Sequence, residues 1–408
     1  DVTRGALKFG GGQAPALPPL GLAISGSLPR FSLDAWNEVF PASGNNTASG
    51  ILQKLANLDV KVAVVEAFKQ EFTDARIETT KTTTQWKLSV SSDQVAGTVL
   101  VPQAADTAWT MDFERLHLAK SKDEGTQDST LDPSRLPSLQ VSSKSFKYGQ
   151  MELGQLKLET SKRASGMHVD VLELRAPAMN VTGQGDWVNE GGQRVSRFDF
   201  EVEGEELGKA LGAFGYDTNI AEGKMHIDLT AHWMGAPMDF ALARLNGTLA
   251  MNIGKGRFLD IDPGAGRVFG LLSIQALPRR LSLDFSDLFK KGFAFDSIVS
   301  EFALKDGNAY TNNLLMKGPS AIISVTGRTG LAAKDYDQMV MVKPQIGASL
   351  PLAATLAGGP VAGAAVFLAQ KIFQSQIDDI TAYQYTIKGS WKDPDIKRVT
   401  SQASSGNP

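Results

Sequence analysis

Residues 225–233 read Met-His-Ile-Asp-Leu-Thr-Ala-His-Trp, and this stretch decides the fold class. Met225, Ile227, Leu229, Ala231 and Trp233 take every second position, with His226, Asp228, Thr230 and His232 between them. Successive side chains of a strand point to opposite faces, so a period of two makes one apolar and one wet face. Apolar residues at three- and four-residue spacing would have marked a helix instead.

The same alternation recurs along the chain. Trp86, Leu88 and Val90 carry it near the front, and Phe198, Phe200 and Val202 alternate with Asp199, Glu201 and Glu203. Leu249, Met251 and Ile253 continue it, and Tyr383, Tyr385 and Ile387 alternate with Gln384, Thr386 and Lys388 near the end. Glu190-Gly191-Gly192 and Asn246-Gly247 are turn formers between such runs, so antiparallel hairpins are expected. Helices are few. Cap and stop signals place short ones at 32–40 (before Pro41), 205–214 (before Gly215), 267–276 and 286–291, with a last one inside 344–370. The pattern divides the chain into β segments at 1–130 and 131–262, a mixed unit at 263–395 with most of the helices, and a flexible tail at 396–408.

Composition narrows the function classes. A net charge of −3 over 408 residues does not suit a chain that neutralises a nucleic-acid backbone, so no nucleic-acid partner is expected. The absence of cysteine excludes a disulfide scaffold and a thiolate zinc site, and fits an oxidising compartment. The chain opens at Asp1 with no basic and apolar leader, which reads as a fragment with its export signal or anchor upstream. Residues 344–370 carry no charge and are long enough to cross a bilayer, but Pro351, Gly358, Gly359 and Pro360 break the run. A bent pair of short helices is expected there.

Catalytic signals are sparse. Gly264-Ala265-Gly266 with Gly270 follows the apolar run 258–261 and opens a helix, and Asp284 stands near where a ribose-binding acid would fall. No βαβ alternation follows, so a tight glycine turn packing helix 267–276 on the sheet is expected, with no nucleotide. His226 and His232 lie on one polar strand face but about 20 Å apart, too far to share an ion even with Asp228 between them. Asp260 and Asp262 read as turn formers before Pro263. No nucleophile elbow, P-loop or paired-histidine zinc motif occurs. The expectation is therefore a protein that is not an enzyme, with no catalytic residue, no metal and no cofactor.

An apolar sheet face costs roughly 25 cal/mol per Å² left in water. A second sheet, closure into a barrel, or a bound apolar ligand would each cover it, and periodicity leaves all three open.

Longer motifs bear on the choice. Residues 256–262 read GRFLDID, followed by the glycine turn, the apolar helix, LPRRLSLDFSDLFKKGFAFD at 277–296, DGNAYTNNLLMKGPS at 306–320 and AGGPVAGAA at 357–365. In this order they resemble the C-terminal region of the YhdP branch of the AsmA-like family. These are envelope proteins of Gram-negative bacteria, related in architecture to TamB and to bridge-like lipid-transfer proteins. A softer similarity reaches back through KYGQMELGQLKLET to Pro133.

The resemblance implies an elongated, twisted antiparallel sheet forming an open hydrophobic groove that conducts phospholipids between the inner and outer membranes. It places the chain in the periplasm, within a longer protein held in the inner membrane by a segment outside this sequence. Outer-membrane contact at the C-terminal end and envelope protein partners are implied too. The groove candidates are then Trp86, Leu88, Val90, Phe198, Phe200, Val202, Met225, Ile227, Leu229, Trp233, Leu249, Met251, Ile253, Tyr383, Tyr385 and Ile387. Val268, Phe269, Leu271, Leu272 and Ile274 cover most of a helix surface, and Leu350, Leu352, Leu356, Val366 and Phe367 give a second apolar helical face. Both fit helices that cap the groove or touch a membrane, with Arg279, Arg280, Lys290 and Lys291 as headgroup candidates. Two sixteen-carbon chains release roughly 25 kcal/mol on leaving water, so a continuous apolar track is what such cargo needs. A closed β-protein that scaffolds the envelope without lipid is the alternative.

Overall fold

The computed structural model describes residues 4–13, 15–33, 55–67, 70–104, 106–119, 131–214, 220–259, 293–345 and 382–399. Among them are 23 strands, one α-helix and three single-turn 3-10 helices, so the chain is mainly β as its alternation requires. Contacts cluster into two compact units, Asp1–Pro177 with Thr182–Arg194, and Ala178–Val181 with Val195–Pro408.

The first unit holds β1 (Arg4–Phe9), β2 (Gly21–Ser32), β3 (Leu55–Ala67), β4 (Gln70–Lys81), β5 (Gln85–Ser91) and β6 (Val95–Pro102). It continues with β7 (Trp109–Leu118), β8 (Leu139–Tyr148), β9 (Met151–Arg163), β10 (Gly166–Arg175) and most of β11 (Asn180–Glu190). From β3 to β7 and from β8 to β10 each strand pairs antiparallel with the next. Three pairings differ from the hairpins expected: β1 with β2, β2 with β3 and β7 with β8 run parallel. The connections at 10–20, 33–54 and 119–138 are long enough to carry the chain back to the same end, which a parallel pair requires.

The second unit holds β12 (Gln193–Gly204, from Val195), α1 (Leu207–Ala213), β13 (Ile220–Glu222), β14 (Met225–Met234), β15 (Asn246–Ile253), β16 (Gly256–Phe258) and β17 (Phe293–Phe295). Then come β18 (Ser297–Lys305), β19 (Asn308–Lys317), β20 (Ala321–Gly330), β21 (Asp335–Pro344), β22 (Tyr383–Ser390) and β23 (Pro394–Arg398). Nine of these strands pair antiparallel in the order β12, β14, β15, β18, β19, β20, β21, β22, β23. A second sheet of β13, β16 and β17 packs Phe258 on Phe295 with ring centroids 5.3 Å apart. Helix α1 lies within the 205–214 expected of it, and the Leu207 N–H donates to the Gly223 carbonyl at 3.0 Å.

Gly191 and Gly192, with φ of +58° and +84°, make the tight turn between β11 and β12. Asn246-Gly247 does not make the turn expected of it. These two residues begin β15, and the connection from β14 runs through 235–245. Gly247 is needed for a close approach instead: φ is +142°, and a Cβ there would lie 1.9 Å from the Thr230 carbonyl oxygen. The helices expected at 267–276 and 286–291, most of those at 32–40 and 344–370, and the glycine turn at 264–270 with Asp284 lie outside the described residues.

Candidate functional site

Register decides which side chains share a face in the second unit. One cross-strand row reads Met225, Ile253, Ile298, Met316, Ile323, Val342, Tyr383 from β14 to β22. A second reads Val202, Ile227, Met251, Ser300, and a third Phe200, Leu229, Leu249, Phe302. Phe198 faces Ala231 in the next row, and its ring stacks on Trp233 with centroids 5.6 Å apart. Tyr385 sits beside Val340 and Ile387 beside Gln338 on the same side. The alternation thus brings all the groove candidates of β12, β14, β15 and β22 to one face.

That face is not uniform. Toward β18–β22 it is sealed: Ile298, Met316, Ile323 and Ile387 have no exposed surface, and Phe302 and Val342 almost none. Met225 and Ile253 are buried as well. Toward β12–β15, Phe200, Val202, Ile227, Leu229 and Leu249 stay half-buried and adjoin one another, forming an apolar strip with access from outside. In the first unit Trp86 is buried with Leu55 and Val101, and Leu88, Val99 and Trp109 pack on that cluster half-buried. Val90 is also half-buried, with Ile77 and Gly97 as its cross-strand neighbours. Trp86, Phe198, Met225, Trp233, Met251, Ile253, Tyr385 and Ile387 are therefore interior residues, and the accessible candidates are their half-buried neighbours. Val268, Phe269, Leu271, Leu272, Ile274, Arg279, Arg280, Lys290, Lys291, Leu350, Leu352, Leu356, Val366 and Phe367 lie outside the described residues.

The opposite, polar face carries a concavity of about 970 Å³ that alternation alone does not reveal. Asp228, Thr230, Thr248, Glu301, Tyr310, Asn312, Thr326, Arg328, Asp337, Met339 and Lys388 line it across β14 to β22. Its cause is local bending: the β18–β19 and β19–β20 pairings each shift register. Gly327 helps, because a Cβ there would meet the Asp337 carbonyl at 2.3 Å. Asn313 fills the gap left in the ladder, its Oδ1 accepting from the Glu301 N–H at 2.9 Å and from the Thr311 hydroxyl at 3.1 Å. Asn312-Asn313 inside a strand pattern is the one sequence signal that marks this bend.

At the rim of this hollow Arg328 donates to both Asp335 oxygens at 2.8 Å and to Asn308 Oδ1 at 2.9 Å. The Arg328 hydrogen bonds hold the Asp335 carboxyl below the usual carboxylate range, against a smaller opposing effect of burial. A depressed carboxylate contributes stability above its unfolded pKa and loses it as pH falls through the folded value. Asp335→Asn is expected to cost about 1 kcal/mol at pH 7, a figure kept low because the pair is partly solvated. Urea melts should show that difference shrinking steadily below pH 4 and vanishing once the folded carboxyl is protonated.

Exposed ionisable groups on the polar face meet across strands. Glu201, Glu203 and His226 bring their ligand atoms within 4.8 Å of one another, and His226 Nε2 lies 3.4 Å from Asp228. All are solvent-exposed to a degree typical of surface ion pairs. His232 sits six positions along the strand, opposite Arg197 and Asn246. His117 Nε2 lies 3.1 Å from Ser145 Oγ, and burial, with Lys147 and Arg115 nearby, pushes its imidazole below the usual range. No described helix is long and apolar enough to cross a membrane.

Comparison with known proteins connects this sheet to a family. The family model described as "YhdP protein" matches residues 1–396. The intermembrane phospholipid transporter YhdP of Escherichia coli (strain K12) is 36% identical over 223 residues, which is 54% of this chain and 18% of that protein. The chain thus spans less than a fifth of that relative's length. No solved structure matches. A match that takes in nearly every residue, on a chain built of paired strands with one apolar face, places this protein in the YhdP family.

Proposed function

We propose that this chain is part of a conduit that carries phospholipids between the two membranes of a Gram-negative envelope, with acyl chains on apolar strand faces and headgroups in water. It works in the periplasm, within a longer protein anchored in the inner membrane, and does no covalent chemistry. The observation that carries this reading is the half-buried strip of Phe200, Val202, Ile227, Leu229 and Leu249, which is contiguous and apolar. The name of the Escherichia coli relative supports the cargo class. The apolar segments around 268–274 and 350–367, with Arg279, Arg280, Lys290 and Lys291, then serve the membrane end. Native mass spectrometry of the purified chain should reveal bound phospholipid. Protein that emerges free of lipid from a lipid-rich host would favour the scaffold instead.

A further inference from the structure

The hollow of the polar face is a built feature that lipid carriage on the other face does not use. Its register shifts fall between Val299 and Ala303 on β18 and between Thr311 and Leu314 on β19, so they bracket Glu301 and Asn312. A polar cluster holds the parted ladder from beneath. Ser300, Thr311 and Asn313 are buried, with Ser300 Oγ 3.0 Å from Thr311 Oγ1. Asn313 Oδ1 accepts from both the Thr311 hydroxyl and the Glu301 N–H. Three buried polar side chains among apolar rows add nothing to the hydrophobic core. They fix the backbone that carries Glu301 and Asn312, and bulges re-aim side chains in this way.

Above that floor the side chains divide into paired charges and open polar groups. Arg328 is held by Asp335, and Lys388 Nζ lies 3.0 Å from Asp337. Asp228 lies 3.4 Å from His226. Among the described residues the Glu301 carboxylate, the Asn312 amide and the Thr326 hydroxyl have no such partner. Tyr310 pairs across the ladder with the short Ala303, one diagonal step from Glu301, and its side chain is 43% exposed. Each ligand class meets this set differently. An anion finds Arg328 and Lys388 already holding carboxylates, with Glu301 against it. An ammonium group would share the Tyr310 ring with Arg328, its direct neighbour on β20. An apolar ligand would strip water from Glu301. A neutral sugar ring suits them all: vicinal hydroxyls donate to the carboxylate, others accept from the amide, and the C–H face lies on the tyrosine ring. About 970 Å³ is at the upper end of small-ligand sites, with room for more than one ring.

We infer that this hollow binds a neutral saccharide chain, with Glu301 and Asn312 on its hydroxyls and Tyr310 under one ring. The site lies on the face away from the apolar strip, so it stands whether or not the sheet carries lipid. Saturation-transfer NMR on the full chain, with maltotriose, cellotriose and triacetylchitotriose tested one at a time, should show transfer to at least one of them. Tyr310→Phe keeps the ring and should keep the signal. Tyr310→Ala and Glu301→Gln should each weaken binding about tenfold, with the urea midpoint and co-purified lipid unchanged. Neither side chain is buried, and Glu301→Gln keeps the backbone N–H that Asn313 holds, so both variants leave the core intact. Three results would overturn the site. One is no transfer to any of the three sugars. Another is spermidine binding more tightly than the sugars with the same dependence on Glu301, which would make this an acidic patch for cations. The third is dodecyl maltoside binding where maltotriose does not, which would mark recognition of a tail. Lipid content is read on the same samples, so failure of the sugar site and failure of the conduit are told apart.

Discussion

Replacing Ile227 and Leu229 together by aspartate is expected to abolish lipid carriage while leaving the chain folded. Both side chains are half-buried, so the carboxylates keep contact with water and the folding cost stays moderate. Their cross-strand neighbours are Val202 and Met251 on one row and Phe200 and Leu249 on the next. An acyl chain laid across these rows would have to strip water from two carboxylates and leave them unpaired, a penalty of about 4 kcal/mol or more. That corresponds to roughly a thousandfold loss of binding. The matched control is Thr248→Asp with Asn252→Asp, which puts the same charge on the exposed opposite face of β15. Co-purified lipid mass and transfer of a labelled phospholipid between vesicles give the readouts. Equal lipid content in the two double variants would remove the strip from the mechanism.

The second large effect concerns the fold beneath that strip. Gly247→Val should destabilise the second unit by about 3 kcal/mol or more. The φ of +142° disfavours any side chain, and a Cβ placed 1.9 Å from the Thr230 oxygen overlaps backbone that has no rotamer to change. Relief would come only by parting β14 from β15 or slipping their register, and a one-residue slip turns Leu249 and Met251 to the wet face. Gly212→Ala in helix α1 serves as the comparison, since nothing lies within 4 Å of its Cβ and its φ is ordinary. Urea titration followed by tryptophan fluorescence should show a much lower midpoint for Gly247→Val and no lowering for Gly212→Ala. Wild-type behaviour from Gly247→Val would show that β14 and β15 do not approach closely enough at Gly247 to exclude a side chain.

The two substitutions test different kinds of information. That Phe200, Leu229 and Leu249 share a face follows from counting by twos, and the register of β12, β14 and β15 bears the count out. The helix at Leu207–Ala213 was legible for a similar reason, because the glycine stop at 215 is a local signal. Asn246-Gly247 misled because the dipeptide that suits a tight turn also suits a close crossing of backbones, and no local rule separates the two. The parallel pairs β1–β2, β2–β3 and β7–β8 were hidden because direction depends on where a long connection returns.

What the sequence by itself determined is the two-faced strand, its sheet class, the lack of familiar catalytic motifs and the family it belongs to. Alternation is a property of each strand alone, set by the geometry of extended backbone. Only the tertiary structure decided which apolar rows are sealed and which stay open, and that bulges in β18–β20 hollow the polar face. Burial and curvature are sums over residues far apart in the chain, so no single window of sequence contains them.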